Sequence, residues 1–191
     1  MGEQGNTRDV YDFDGTIYDG DSTVDFVLYC LRRFPGTWLT LPRTAVAAVQ
    51  FGLKILPKTQ FKQTMYRFLQ HVPQVEDVVV DFWLEHCDKM VPCVNPQPGD
   101  LVISASPEFL LKPYCDIAGY ELMASVVDPH TGQYTGQNCH GQEKIRRLRE
   151  RYPDVVVRNF YSDSRNDDPM ARLAQHAYFV RKEQLDPWPN N

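Results

Sequence analysis

The sequence predicts an α/β fold whose parallel sheet is interrupted, after its first strand, by a helical insertion. Three observations carry that expectation. Residues 10–13 read as a short strand that stops at an acidic Gly15-Thr16 turn. Leu101-Val102-Ile103 is a continuous apolar run of the kind buried on both faces of a parallel sheet. The stretch between them is patterned for helices and is too long to be a single crossover.

Taken in order, the first strand leads to a helix begun by an Asp21 or Ser22 N-cap, with Val27, Cys30, Leu31 and Phe34 at helical spacing. Pro42 and Pro57 bracket the small-residue segment 43–56. Phe61, Met65, Phe68 and Leu69 mark another helix, and Val79, Phe82, Trp83 and His86 a further one. The buried run at 101–103 ends at Ser104, and a helix follows over 109–117 despite Pro113. Residues 122–127 and 133–135 read as a small hairpin around the Asp128-Pro129-His130-Thr131-Gly132 turn. A basic helix over 142–152, a strand over 155–161, a helix over 169–175 and a short strand over 177–180 complete the alternation, and 186–191 reads as a polar tail.

With 191 residues, 42% hydrophobic and 24% charged, the chain is long enough for one packed core plus an insertion. A net charge of -5 argues against a dedicated nucleic-acid binder. Residues 1–9 are polar and carry no apolar run, so the default expectation is a cytoplasmic protein. The cysteines, Cys30, Cys87, Cys93, Cys115 and Cys139, lack the paired spacing of a zinc site and read as free, mostly packed thiols. Trp38–Leu56 is the most apolar part of the chain, but Arg43, Gln50 and Lys54 break it. It falls short of the roughly 18 uninterrupted apolar residues of a membrane span, so a core or cap helix is preferred over peripheral membrane contact.

Asp12 and Asp14 stand two apart at the end of the first strand, so both carboxylates project from one side. Alone they are an acidic turn. Two acids so placed also suit a hard divalent cation and a carboxylate nucleophile, with the second acid protonating a leaving oxygen. Asp163, Asp167 and Asp168 follow the strand at 155–161, and in parallel sheets ligands gather at the carboxyl ends of strands. Ser104 and the Ala105 N–H end a third strand and suit an anionic oxygen; Ser106 competes for that role or caps the following helix. Lys144, near the start of the basic helix, is either an exposed lysine beside Arg146 and Arg147 or a cation for a phosphoryl group.

In chain order, Asp12-Phe13-Asp14-Gly15-Thr16, Ser104, Lys144 and 163–167 resemble the motifs of the haloacid-dehalogenase-like superfamily. Ile103-Ser104-Ala105-Ser106-Pro107-Glu108-Phe109 and Gly141-Gln142-Glu143-Lys144 are similar to its phosphoserine-phosphatase-like branch, and the resemblance spans nearly the whole chain. It implies a Rossmann-like parallel-sheet core from 1–19 and 90–191 with a helical cap at 20–89. It further implies Asp12 as nucleophile and Asp14 as general acid and then base. Mg²⁺ would be held by Asp12, the Asp14 carbonyl and Asp163, with Asp167 supporting the metal shell. Ser104, Ala105 and Lys144 would hold phosphate oxygens. Asp21 stands where phosphoserine phosphatases carry a glutamate that holds the substrate amino group, and the shorter acid weakens the case for serine phosphate.

The expected activity is Mg²⁺-dependent hydrolysis of a phosphate monoester on a small metabolite through an aspartyl phosphate. The alternatives are a lipid-phosphate phosphatase at a membrane surface, a phosphotransferase, and a binding protein on a retained scaffold. No nucleic-acid partner is expected, and the oligomeric state is left open.

Overall fold

Strands linked through helices must run parallel unless a tight turn joins them, and the sheet follows that rule. The structure, a computed structural model, describes residues 7–189; 1–6 and 190–191 lie outside the described residues. The strands are β1 (Thr7–Tyr11), β2 (Leu101–Pro107), β3 (Glu121–Ser125), β4 (Val156–Ser162), β5 (His176–Arg181) and β6 (Gln184–Pro187). They form a six-stranded sheet in the order β3-β2-β1-β4-β5-β6, in which only the β5–β6 pair is antiparallel. β1 therefore has β2 on one side and β4 on the other. The chain direction across the sheet reverses there, which opens a crevice at the carboxyl ends of these three strands.

Between β1 and β2 lie helices α1 (Ser22–Arg33), α2 (Leu41–Gly52), α3 (Lys58–Met65) and α4 (Val75–His86), with 3₁₀ turns at Pro35–Thr40 and Tyr66–His71. Helices α5 (Glu108–Ala118), α6 (Gln142–Arg151) and the short α7 (Asp168–Ala171) complete the chain. One apolar cluster joins Phe13, Tyr18, Phe26, Phe82, Trp83 and Leu110 between the sheet and the inserted helices. The other joins Val10, Leu101, Ile103, Leu148, Phe160 and Met170 on the opposite face. Phe13 is the anchor that matters most for the site. Fully buried, it meets Trp83 and Tyr114 edge-on at 5.8 Å, and the Trp83 indole N–H donates to the Leu110 carbonyl at 2.7 Å. Truncating such a side chain costs about 3–5 kcal/mol.

Several expectations are corrected. β1 ends at Tyr11, before Phe13, and β2 runs past Ser104 to Pro107 through a register irregularity against β3. The expected hairpin is reduced to its turn: residues 122–125 of its first arm lie in β3, parallel to β2, while an antiparallel Val127–Tyr134 bridge, with the Asp128 N–H donating to the Gln133 carbonyl at 2.8 Å and the Thr135 N–H to the Val126 carbonyl at 3.0 Å, joins the two arms beside the turn. The apolar content of 121–125 pairs with the sheet in preference to its local turn. The supposed polar tail starts inside β6, with Asp186 and Pro187 paired to β5, and Trp188 packs against Phe160 and Phe179 and holds the chain there. In α1 the buried residues include Phe26, Tyr29 and Cys30, while Val27 and Phe34 pack only partly against the core. Polar β1 is explained by its partners: Asp9 accepts from Arg158 and Asn159, and Arg8 donates to Glu121. Burial alone would raise the Asp9 carboxyl, but those bonds outweigh it and hold it below its ordinary value. All five cysteines are free, three of them buried. Among the described residues no helix is long and apolar enough to cross a membrane.

Candidate active site

The site begins where β1 stops. The Asp12 N–H donates to the Tyr161 carbonyl of β4 at 2.9 Å, which extends the sheet pairing by one residue. With Phe13 turned into the core, its neighbours Asp12 and Asp14 both line the crevice. Gly15 then takes φ +69°, and a Cβ built on it would lie 2.1 Å from Asp163 Oδ2. Only glycine lets the turn after β1 and the loop after β4 approach so closely.

Each acid has its own partners. Asp12 Oδ1 is 3.0 Å from Lys144 Nζ and accepts from the Phe13 N–H at 2.8 Å. Asp14 Oδ1 accepts from the Ser22 N–H at 2.7 Å, at the open end of α1, and Asp14 Oδ2 accepts from the Ser106 hydroxyl. Asp167 Oδ2 accepts from Lys144 Nζ at 2.8 Å and from the Ser162 hydroxyl at 2.9 Å. Lys144, 2% exposed at its side chain, is thus the cation buried among these carboxylates.

The electrostatics follow from burial. Desolvation pushes the Asp12 carboxyl up to about 7 against the pull of Lys144, with Asp167 and Asp14 adding to the rise. Asp14 is pushed up to about 6, again mainly by desolvation and then by Asp21, while its bonds to Ser106 and Ser22 act the other way. Asp163 is raised by desolvation too, although it opens to the crevice. Lys144 moves upward: burial opposes its charge, but Asp12 and Asp167 outweigh burial. Five aspartates, Asp12, Asp14, Asp21, Asp163 and Asp167, line the crevice against three lysines, Lys58, Lys62 and Lys144, a set of oxygen donors that suits a hard divalent cation. Among the described residues no three His, Cys, Asp or Glu side chains form a metal cluster. The donor set implied by the resemblance is of another kind, the carboxylates of Asp12 and Asp163 and the backbone carbonyl of Asp14.

Of the residues singled out in the sequence, Asp12, Asp14, Asp21, Ser104, Ala105, Ser106, Lys144, Asp163 and Asp167 line one cavity, whereas Asp168 lies outside it, paired with Arg165 at 3.1 Å and accepting from the Trp188 indole N–H at 2.9 Å. Two take up partners that the sequence did not disclose. Ser106, an alternative to Ser104, is the hydroxyl that touches Asp14, and it also contacts Thr23 Oγ1 at 3.0 Å; Ser104 Oγ instead accepts from the Ser106 N–H at 3.1 Å. The Asp167 carboxylate is taken by Lys144 and Ser162, which suits positioning of the lysine more than direct contact with a metal. Asp21 caps α1 through the Val24 N–H at 3.0 Å, at the cavity rim.

Sequence reasoning missed Lys58, Lys62 and His140, which also line the cavity. Lys62 Nζ donates to the Ala105 carbonyl at 3.2 Å, and Lys58 Nζ lies 3.3 Å from His140 Nε2. Burial holds Lys62 below its ordinary value; burial and then Lys58 do the same for His140. Lys58 and Lys62 are four apart on α3, so one helix face presents both, but where that face docks is a tertiary property.

A family model described as haloacid dehalogenase-like hydrolase matches residues 10–172. No curated protein sequence matches the chain. Among solved structures, a protein of unknown function from Bordetella pertussis Tohama I is similar with a TM-score of 0.69 at 18% identity, over 90% of this chain and 88% of that one. A probable phosphoserine phosphatase from Vibrio cholerae has a TM-score of 0.61 at 14% identity over 90% of this chain, which spans only 55% of that protein. A phosphoserine phosphatase solved as a phospho-aspartyl intermediate analogue gives 0.54 at 14% identity, over 90% and 84%. At these identities the likeness is one of fold. The family match, which runs from Val10 in β1 to Arg172 just past α7 and takes in every residue of the crevice, shows that the chain belongs to the haloacid dehalogenase-like hydrolase family.

Proposed function

We propose that the protein is a Mg²⁺-dependent phosphatase that hydrolyses a phosphate monoester of a small metabolite, with Asp12 as the covalent phosphoryl acceptor. The observation that carries this reading is the Asp12–Lys144 contact of 3.0 Å, set beside Asp14 in one crevice. Lys144 and the Phe13 N–H both hold Asp12 Oδ1, which leaves Oδ2 as the attacking oxygen. As the Oδ2–phosphorus bond forms, the bond to the leaving oxygen breaks and Asp14 supplies that oxygen's proton. Water then attacks phosphorus, gives its proton to Asp14, and frees the Asp12 carboxylate and phosphate.

Its elevated value suits Asp14 to hold a proton near neutrality. The carboxylates of Asp12 and Asp163 and the carbonyl of Asp14 would hold Mg²⁺, whose chemistry is to offset charge on the phosphoryl oxygens. Ser104 and the Ala105 backbone would bind those oxygens, and Lys144 would neutralise the phosphorylated Asp12. The helices at 20–89 act as the cap that selects the leaving group, with Asp21, Lys58 and Lys62 at the rim. The experiment is hydrolysis of an aryl phosphate with and without Mg²⁺, then of a panel of phosphorylated metabolites. Turnover must need the metal and vanish in Asp12→Asn; metal-independent turnover, or full activity of Asp12→Asn, overturns the reading.

A further inference from the structure

Helix α2 lies at the outer edge of the inserted helices, away from the sheet. Its principal packing is on α3 and the Pro35–Thr40 turn, with a Phe51–Phe61 stack at 5.1 Å, and Ala47 is its one buried residue. Trp38, Leu39, Val46, Val49, Leu53 and Ile55 are all between 58% and 76% exposed. Val46, Val49 and Leu53 recur at spacings of three and four, so they share a face. A contiguous exposed apolar patch of this kind marks an interaction surface.

Its charge identifies the partner. From Phe26 to Val75 the chain has seven Lys and Arg (Arg32, Arg33, Arg43, Lys54, Lys58, Lys62, Arg67) and no Asp or Glu, although the whole chain is at -5. Arg33 pairs with acids of α4, whereas among the described residues no acid pairs with Arg43 or Lys54 on α2 and its C-terminal loop. An apolar face flanked by uncompensated cations and an exposed tryptophan is what an anionic lipid surface binds. The Trp38 indole N–H, held by the Leu31 carbonyl at 2.8 Å, fixes the ring at the edge of the patch. A second copy fits less well, because a twofold contact through this face would bring the same unpaired cations together.

We infer that the α2 face, with Trp38, Val49, Leu53 and Ile55 inserted and Arg43 and Lys54 at the headgroups, docks the protein on an anionic bilayer. The helix lies on the surface and does not span it, in line with the absence among the described residues of any helix long and apolar enough to cross. The docked edge adjoins the catalytic crevice: α3 begins three residues after Ile55 and carries Lys58 and Lys62 to the cavity rim. The crevice is then presented beside the headgroup layer.

The test is flotation of the full chain with vesicles of equimolar phosphatidylcholine and phosphatidylglycerol, beside vesicles of phosphatidylcholine alone, with Trp emission recorded. Anionic vesicles are expected to carry the protein up and shift the emission to the blue, and high salt to weaken both. Val49→Asp/Leu53→Asp and, separately, Arg43→Glu/Lys54→Glu should each reduce binding by about tenfold. These positions are exposed, so aryl phosphate turnover should persist in both. Asp12→Asn should float as the unaltered protein does, which separates docking from catalysis. Docking is overturned if the unaltered protein does not float, if either double variant floats as well as it does, or if light scattering shows that the face closes a dimer that ignores vesicles.

Discussion

The ammonium of Lys144 lies 3.0 Å from Asp12 Oδ1, with 2% and 14% of the two side chains exposed. It also holds Asp167 at 2.8 Å, so one cation compensates two buried acids. The raised lysine value means its charge stabilises the fold at all pH values below its unfolded titration and is lost only in strong base. Lys144→Met, measured in chelator, is expected to lose about 3–5 kcal/mol at pH 8, the cost of leaving buried charge unpaired. The deficit should shrink on acidification, as Asp12, raised to about 7 by burial, protonates. Denaturant melts across pH check this, and a pH-independent deficit contradicts it.

Ser106 holds the proposed acid–base Asp14, together with the Ser22 N–H. Ser106→Ala leaves both carboxylates in place but removes one bond, so kcat should fall roughly tenfold or more while the fold is retained. Ser104→Ala should act differently, through weaker phosphate binding and a raised KM. Equal effects of the two on kcat and KM would show that the hydroxyls are not divided in this way.

Gly15→Ala would place a methyl 2.1 Å from Asp163 Oδ2 at φ +69°. The loop after β4 must retreat, with a stability loss of about 1–3 kcal/mol. If Asp163 helps to hold Mg²⁺, the concentration of metal needed for half-maximal turnover should rise. A variant with unchanged metal dependence separates Asp163 from the metal.

Glu143 accepts from Arg146 at 2.7 Å and from Arg147 at 2.9 Å, while Arg147 also donates to the Ala124 and Gln137 carbonyls. The Arg146 bonds, more than any other influence, hold the Glu143 carboxyl down to about 2. A depressed acid contributes stability above its unfolded value of 4.5, and that contribution fades as pH falls from there toward about 2. Glu143→Gln should cost roughly 1–3 kcal/mol at pH 7 and flatten this acid limb. An unchanged limb in denaturation curves would place the acid sensitivity elsewhere.

The buried strand at 101–103 was legible because Leu101-Val102-Ile103 is short, continuous and apolar, but the strand ends were not, since β2 runs on to Pro107 and β1 stops at Tyr11. Local pattern could not show partners distant in sequence. The partners that make Asp9 tolerable are Arg158 and Asn159, and β6 exists because Trp188 meets Phe160 and Phe179. Likewise the sequence pattern placed α2 among the inserted helices but not the exposure of Val46, Val49 and Leu53, because apolar composition reports a tendency to be covered, not what covers it. Lys58, Lys62 and the Ser106–Asp14 bond depend on how the inserted helices sit over the sheet, which no spacing within α3 or β2 encodes.

The covalent role of Asp12 is tested most directly by quenching turnover of an aryl phosphate in acid and mapping the phosphorylated residue by mass spectrometry. The expected result is a Mg²⁺-dependent phosphate adduct on Asp12 that disappears in Asp12→Asn together with turnover. Sustained turnover with no adduct, or an adduct on a residue other than Asp12, would contradict the account.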